Sequence, residues 1–255
     1  MMNDSHYAFE KLNPDELCLA VQDNKWIILP IGSIEWHSYH LGFGVDTLHA
    51  YEVAKRVSKK IDGIVYPPIF CGTECKRSPE SLKKLGLPEK DNVWGMDFPS
   101  NTIKSQYWKS SAFKELIDNY IVLTVNMGFK RIILLNGHGS YAQKSILNEL
   151  AEERSNLEIK VKSFFCMTKE CGYGLGHAGL VETAVMLRIC PEMVNLNKLP
   201  PKPVPLYYYQ YGIADSGAIG KDHKVIYDPR DATAEMGEEI LSKEVEYIYK
   251  MVIEG

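Results

Sequence analysis

Short apolar runs that alternate with helix-like patterns constrain the fold of this chain more than any other feature. Residues 26–32 (WIILPIG) are apolar and end at a glycine, which is typical of a strand buried on both faces of a parallel sheet. In residues 46–61 the apolar positions recur near helical spacing, and basic residues occupy the polar side and the last turn. A strand followed by an amphipathic helix is the unit of an α/β protein.

The same alternation continues along the chain. We predict further strands at residues 63–69, 130–135 and 159–165, a long helix that passes through 122–127, and helices at 141–154 and 232–253. Strands joined by helices imply a mainly parallel sheet that is covered on both faces. The 255 residues, 45% hydrophobic and 24% charged, suffice for one large domain, so we expect a single domain over residues 1–255.

Two long stretches interrupt this alternation. Residues 71–101 are rich in glycine, proline and charge, and residues 199–231 contain PPKPVP and the aromatic run YYYQY at 207–211. Long irregular connections in a compact domain are usually functional loops or subunit contacts. We expect the aromatic run either to form a subunit interface, where tyrosine is enriched, or to line the substrate pocket.

Composition and charge exclude several classes of partner. A formal net charge of −4 gives no general reason to bind nucleic acid, and no apolar run is long enough to cross a membrane. Residues 1–16 lack the basic and apolar regions of a signal peptide, so we expect a cytoplasmic protein with a small-molecule partner. The six cysteines have no C-x-x-C spacing, and we expect them to be reduced and mostly buried in the core.

Side chains that can bind metals follow the first predicted strand. Ligands of open α/β sheets bind at the carboxyl ends of the strands, which makes this the expected place for a site. In an extended backbone Glu35 and His37 point to the same side, as co-ligation requires. Carboxylate and imidazole groups are ligands of zinc, manganese and iron. The segment LPIGSIEWHSYHLGFGVD offers four such groups: Glu35, His37, His40 and Asp46.

Two later segments add groups of the same kind. NGHGS at residues 136–140 follows a predicted strand, and its glycines let the backbone turn sharply while His138 projects into the crevice. GHAGLVET at residues 176–183 leads into an apolar helix and contributes His177 and Glu182. Carboxylates buried together without a cation would repel one another and be desolvated at a cost of several kcal/mol. The three segments together therefore predict a metal site.

Each segment taken alone also has a plainer interpretation. Asp46 would serve as a cap for the helix that follows it, and Ser140 as the cap after an ordinary strand-to-helix turn. His177 would be a core or loop histidine, and Glu182 a solvated helix residue. The convergence of three strand ends on ligand-type residues favours the metal site. The remaining histidines are interpreted as structural: His6, His49 and His223.

The three segments, in this order and at these separations, resemble the creatininase (creatinine amidohydrolase) family. The likeness extends from about residue 29 to residue 237 and includes, more loosely, GIADSGAIGKD and DPRDATAEMGEEI. The resemblance implies a three-layer α/β/α sandwich with a mainly parallel sheet. It also implies two divalent metal ions, zinc in the first place with manganese or iron as alternatives, and a homo-oligomer, namely a hexamer made from trimers.

The resemblance further implies a role for each candidate ligand. Glu35, Asp46 and His138 match the ligands of one metal, and His37 with the bridging Asp46 matches those of the other. Glu182 would complete the second group, as in members with an NGHGG-type turn. In creatininase itself that carboxylate stands two residues after the histidine of the turn, where this chain has a serine.

The same resemblance implies a reaction. A hydroxide shared by the two ions would attack a carbonyl carbon of a small amide, cyclic or linear, such as creatinine. His177 matches a histidine implicated in proton transfer, and His40 matches one beside the metals, so both are predicted catalytic residues. His177 would deliver a proton to the leaving nitrogen.

Departures from the family lie at the rim of the pocket and weaken the case for creatinine as substrate. WHSYHLG replaces QHGPHLP, FPSN replaces the FPGT-type turn, and Gly176 replaces an acidic residue. Alternative activities are those of a formamide deformylase, a peptidase or a keto-inositol hydrolase. A non-catalytic metal-binding protein is the alternative from another class. A nucleotide-binding protein is suggested only by NGHGS, without G-x-G-x-x-G or a Walker lysine.

Overall fold

A parallel sheet with helices on both faces forms the body of the protein. The computed structural model describes residues 7–215 and 221–254. The strands of this part are β1 (Trp26–Gly32), β2 (Ile64–Val65), β3 (Ile69–Phe70), β4 (Gly72–Thr73), β5 (Tyr107–Trp108), β6 (Arg131–Asn136), β7 (Lys160–Phe165), β8 (Gly176–His177) and β9 (Ala214–Asp215). Its α-helices are α1 (Pro14–Gln22), α2 (Val45–Ile61), α3 (Pro79–Lys84), α4 (Ser110–Asn126), α5 (Tyr141–Arg154), α6 (Leu180–Ile189), α7 (Tyr208–Tyr211) and α8 (Ala234–Glu254).

The main sheet has the strand order β2-β1-β6-β7, and β3 also pairs with β1. All of these pairs are parallel, as predicted. The prediction of one continuous strand over residues 63–69 is wrong, because Pro67 and Pro68 lack the backbone N–H that a ladder needs and separate β2 from β3. The other predicted strands agree with β1, β6 and β7 to within one residue at each end.

Both faces of the sheet are buried under helices. Ile28 and Ile133 face one apolar cluster, which includes residues of α2, α6 and α8. Ile27 and Ile132 face a second cluster, with residues of α1, α4 and α5. Neighbouring strand residues point to opposite faces, so burial of both faces explains why these strands are apolar without interruption. The predicted α/β/α sandwich is confirmed.

The two irregular stretches contain short elements that contact the candidate site. Side chains of residues 71–101, among them Leu82 and Phe98, form a small apolar cluster. At the start of this stretch β4 pairs with β5. In the second stretch β9 pairs antiparallel with β8, which carries His177. Residues 216–220 of the GIADSGAIGKD motif lie outside the described residues, and so does His6.

The cysteines agree only in part with the prediction. All six are free thiols. The expectation that most are buried is wrong: Cys71, Cys166 and Cys171 are buried, Cys190 is partly buried, and Cys18 and Cys75 are exposed. A thiol is small and only weakly polar, so the burial tendency of cysteine does not fix its position on an amphipathic helix or in a loop. No helix of the described residues is both long and apolar enough to cross a membrane.

Candidate metal centre

The first turn of α2 is packed against the ends of β1 and β6. A Cβ atom on Gly137 would lie 1.9 Å from the carbonyl oxygen of Asp46, and one on Gly32 would lie 2.4 Å from the backbone nitrogen of Thr47. Only glycine permits so close an approach of the backbones. Asp46 lies inside α2, whose N-cap is Gly44, so the alternative of Asp46 as a helix cap is wrong. Its carboxylate is available to the cluster.

Glu35, Asp46 and His138 form the first group of ligand-type atoms. All three residues are buried, and the atoms lie within 4.8 Å of one another. Nδ1 of His138 is 3.1 Å from Oε2 of Glu35 and 2.9 Å from Oδ2 of Asp46. A ring nitrogen and two carboxylate oxygens thus face a common position. Ser140 caps α5, so the NGHGS turn serves both the helix and the cluster.

His37, Asp46 and Glu182 form a second group, which shares Asp46 with the first. Nε2 of His37 is 3.2 Å from Oδ1 of Asp46 and 3.6 Å from Oε2 of Glu182. The opposite ring nitrogen, Nδ1, is hydrogen-bonded to the carbonyl oxygen of Glu35 at 3.0 Å. The backbone N–H of Ala178 donates to Glu182, which is buried rather than solvated. The contact with the carbonyl oxygen of Glu35 fixes the ring of His37, as such backbone contacts do for metal-binding histidines.

The electrostatics of the cluster fit a cation. Burial raises the pKa of Glu35. Burial also opposes ionisation of Asp46, but the charges of His37 and His138 outweigh it and hold the pKa of Asp46 well below its usual value. Burial disfavours the charged forms of both histidines, yet the neighbouring carboxylates hold their pKa values well above the usual one. The carboxylates therefore require positive charge, which divalent ions would supply between the same nitrogen and oxygen atoms.

His177 lies half-buried beside both groups. Its Nδ1 is 3.8 Å from Oε2 of Glu35, and its ring centre is 4.4 Å from that of His37. Its Nε2 is hydrogen-bonded to the carbonyl oxygen of Trp36 at 2.7 Å, so Nε2 carries the proton and the Nδ1 lone pair faces the cluster. Burial, followed by the charge of His37, holds the pKa of His177 well below its usual value. The neutral ring can accept a proton at Nδ1 or bind a metal with Glu35 and His37.

His40 is placed differently from His177. It is buried, and its Nε2 is hydrogen-bonded to Oγ1 of Thr183 at 3.0 Å. Burial, followed by the charge of His37, lowers the pKa of His40 to about 3. His40 is absent from the described lining of the cavity beside the cluster and from its groups of ligand atoms. Its contact with Thr183 suits a role in positioning the start of α6, and the catalytic role of His40 stays a prediction.

Ser33 is part of the cluster although its residue type did not mark it as a candidate. Its Oγ donates a hydrogen bond to Asp46 and lies 3.2 Å from Nδ1 of His138. The signal in the sequence was its spacing, because Ser33 stands two residues before Glu35 directly after β1.

Tyr107 and Glu74 come from segments whose place in the fold no pattern predicts. The hydroxyl of Tyr107 donates to the carboxylate of Glu35. Oε1 of Glu74 lies 3.6 Å from Nε2 of His138. Both residues belong to the pair β4–β5 and its flanks, which form through contacts between distant parts of the chain. A local pattern carries no information on such contacts.

A cavity of about 350 Å³ opens beside the cluster. The ligand groups line part of it, and apolar side chains such as Met96, Phe165 and Leu175 line another part. Its volume is at the low end of the range for small-molecule sites. The described lining includes no residue of the aromatic run 207–211, so the expectation that these rings line the pocket does not hold for this cavity.

The fold and the cluster define an α/β/α protein with a candidate two-metal centre at the carboxyl ends of its strands. The family model described as creatinine amidohydrolase matches residues 10–252. The chain therefore belongs to the creatininase family, whose members are hydrolases.

Two curated relatives illustrate the range of the family. The creatinine amidohydrolase of Pseudomonas putida is 26% identical over 203 residues, which cover 71% of this chain and 72% of the relative. A mycofactocin precursor peptide peptidase of Mycolicibacterium smegmatis is 25% identical over 231 residues, which cover 86% of this chain and 81% of the relative. The two names describe different substrates.

Solved structures of creatininases share the fold. One, described as the Zn-Zn type of a creatininase variant, has a TM-score of 0.66 and 22% identity, and the match covers 97% of each chain. Another, described as creatininase Mn, has a TM-score of 0.66 and 21% identity over 97% of this chain and 98% of the other. At these identities the likeness shows the fold alone.

Proposed function

We propose that the protein is a metal-dependent amidohydrolase that hydrolyses the C–N bond of a small amide, cyclic or linear. The observation that carries this proposal is the convergence of two groups of buried ligand atoms on one shared carboxylate, that of Asp46. Membership of a hydrolase family and the creatinine amidohydrolase relative support the reaction type. Creatinine is one candidate substrate within this class.

Each group would hold one divalent ion, and Asp46 belongs to both groups. Glu35 and His138 complete the first group, and His37 and Glu182 complete the second. Zinc is the first choice, with manganese or iron as alternatives, and the zinc and manganese forms of creatininase support the first two. Ions bound there would supply Lewis-acid chemistry, since they lower the pKa of water and polarise a carbonyl oxygen.

The side chains around the cluster would handle the proton. Nδ1 of His177 is free to take a proton from the attacking water and to return it to the leaving nitrogen, while the carbonyl oxygen of Trp36 holds the ring in place. Proton transfer by a positioned side chain contributes about 10²–10⁴-fold to a rate. Apolar lining residues such as Met96 and Phe165 exclude bulk water from the reacting bond.

A peptidase is the second candidate, favoured by the similarity to the mycofactocin precursor peptide peptidase. Formamide deformylase and keto-inositol hydrolase activities remain open as well. We would assay cyclic amides, formamides, short peptides and keto-inositols with added zinc or manganese. Turnover of one class alone would identify the reaction, whereas bound metal without turnover would favour the non-catalytic alternative.

The metal site itself can be tested without a known substrate. The protein would be purified without chelators, and bound metal would be measured by mass spectrometry for His37→Ala, Glu182→Ala and the wild type. We expect each substitution to lower metal affinity by at least about tenfold. His223→Asn, at a partly buried histidine, and Glu158→Ala, at an exposed glutamate, lie outside the cluster and are the matched controls. Full metal occupancy in both cluster variants would remove the proposal.

A further inference from the structure

Two cationic side chains, those of Arg77 and Lys144, line the same cavity as the cluster. Both side chains are partly buried. In residues 7–215 and 221–254 neither cation lies within ion-pair distance of a carboxylate. Both positive charges therefore face the cavity without a carboxylate partner among the described residues.

The guanidinium of Arg77 is held in place by neutral acceptors. Its Nε donates to the carbonyl oxygen of Gly95 at 2.7 Å, and a terminal nitrogen donates to the sulfur of Met96 at 3.1 Å. The backbone N–H of Arg77 also donates to the carbonyl oxygen of Val93 at 2.8 Å. An arginine side chain has five N–H donors, so donors remain for an anion.

The ammonium of Lys144 is held by an aromatic ring. Its Nζ lies 4.8 Å from the ring centre of Phe165, within the range of a cation–π contact. Burial lowers the pKa of Lys144, and the charge of Glu74 opposes this effect without an ion pair. Lys144 is the fourth residue of α5, and the first turn of α5 adds partial positive charge to the same cavity.

The carboxylates that line the cavity have other partners. Three of them belong to the two ligand groups. Asp215 accepts hydrogen bonds from the hydroxyl of Tyr208 and from two backbone N–H groups. Glu74 accepts one from the following backbone N–H and faces His138. The cavity thus combines a part suited to metal ions with a part whose positive charge is not neutralised by an ion pair.

We propose that Arg77 and Lys144 bind a carboxylate of the substrate, so that the substrate is a small amide that also carries a carboxylate group. This inference rests on the proposed amidohydrolase function. Arginine offers paired N–H donors and lysine a point charge, a combination suited to a carboxylate in a partly desolvated site. Apolar residues of the cavity then contact the body of the molecule.

Binding is tested by calorimetry on the zinc-loaded protein with 3-phenylpropionate and its neutral counterpart 3-phenylpropanol. We expect the carboxylate to bind at least about tenfold more tightly, and Lys144→Met to abolish this preference while Lys144→Arg retains part of it. Lys90→Met, a change in an exposed loop lysine, is the control. Equal affinities for the two compounds would overturn the proposal. So would a preference that Lys144→Met leaves unchanged, because the carboxylate would then bind elsewhere.

Hydrolysis provides a second test with N-benzoylglycine and N-propylbenzamide, which differ in the carboxylate. We expect kcat/KM to be at least about tenfold higher for the acid, and Lys144→Met to reduce this ratio by a similar factor. Metal-dependent hydrolysis of both amides with equal kcat/KM would overturn the inference and leave the proposed function intact. Carboxylate binding without metal-dependent hydrolysis of any amide would overturn the proposed function instead.

Discussion

The hydroxyl of Tyr107 holds the carboxylate of Glu35 and is itself fixed. It accepts a hydrogen bond from the backbone N–H of Met96 at 3.1 Å and donates to Glu35. The ring stacks on that of His138, with 6.1 Å between the ring centres. Burial, followed by the charge of Glu35, raises the pKa of Tyr107, so the phenol remains a donor. A hydrogen bond of this kind orients a metal-binding carboxylate.

Tyr107→Phe removes this donor and keeps the ring. We expect metal affinity to fall by about 10–100-fold, because Glu35 loses its orienting partner. Competition with a chromophoric chelator measures the change. Tyr66→Phe is the control, since Tyr66 packs against Phe9, outside the cluster. An affinity equal to that of the wild type would show that Tyr107 does not position Glu35.

The residues of ligand type could be predicted from the sequence, whereas the side chains that hydrogen-bond to them could not. Glu35 and His37 are close in sequence and share a direction, so a local pattern identifies them. Tyr107 reaches the cluster only because β5 pairs with β4, a contact between segments that are far apart in sequence. Ser33 was within reach of the same pattern but carries a residue type with many other roles.

The first turn of α2 fits against β6 because residue 137 has no side chain. Gly137→Ala would place a Cβ atom 1.9 Å from the carbonyl oxygen of Asp46, and a backbone atom cannot move aside as a side chain can. We expect a loss of stability of about 1–3 kcal/mol or more, together with weaker metal binding. Gly139→Ala is the matched control, since its Cβ would meet Cζ of Phe165 at 3.9 Å, an ordinary van der Waals contact. Equal effects of both changes on denaturant unfolding would contradict this account.

A buried ion pair joins α2 to α8 beside the cluster. Nε2 of His49 lies 2.7 Å from Oε2 of Glu244, and both side chains are buried. His49→Ala leaves the carboxylate without its partner, so we expect a loss of about 3–5 kcal/mol in the free energy of unfolding. Lys60→Met breaks the exposed pair with Glu246 between the same helices and should cost less than about 1 kcal/mol. Similar losses in denaturant unfolding would refute this assignment.

The contribution of His49 should also depend on pH. Burial alone would lower the pKa of His49, but Glu244 outweighs burial and the pKa is raised. A group whose pKa is raised by folding stabilises fully below its unfolded pKa, about 6.5 for histidine, and loses this contribution as pH rises through the folded pKa. The stability difference between the wild type and His49→Ala should therefore shrink as the pH rises above about 6.5 and through the folded pKa. A difference that grows with pH would have the wrong sign.

At the scale of elements, periodicity predicted most of the fold. The apolar run of β1 and the helical spacing of α2 and α5 are strong signals, because burial of both sheet faces and of one helix face imposes them. The prediction of one strand over residues 63–69 was wrong because two prolines interrupt the hydrogen-bond ladder inside an apolar segment. The pairs β4–β5 and β8–β9 have two residues per strand, too few for any period to appear.

The whole molecule should respond to metal removal. A ligand that binds only the folded state stabilises it by about 2.7 kcal/mol at a hundredfold excess over its Kd. For a protein of this size we expect chelation to lower Tm by about 5–10 °C, as measured by differential scanning calorimetry. His37→Ala should show a smaller shift because its second group is incomplete. A Tm that chelation leaves unchanged in the wild type would argue against ions bound in the fold.

Other properties of the whole molecule remain predictions. Family resemblance predicts a hexamer made from trimers, with the aromatic run 207–211 as a candidate interface. A sedimentation experiment on the purified protein measures this directly. The single domain and the cytoplasmic location also stay predictions. Local sequence patterns report neither subunit assembly nor location in the cell.

We propose that distant parts of the chain bind two divalent ions through one shared carboxylate. Anomalous diffraction at the zinc edge, from crystals of the zinc-loaded protein, tests it most directly. We expect two peaks with Asp46 in contact with both, the first also bound by Glu35 and His138 and the second by His37 and Glu182. Zinc peaks that lie elsewhere, with these five side chains unbound, would contradict it.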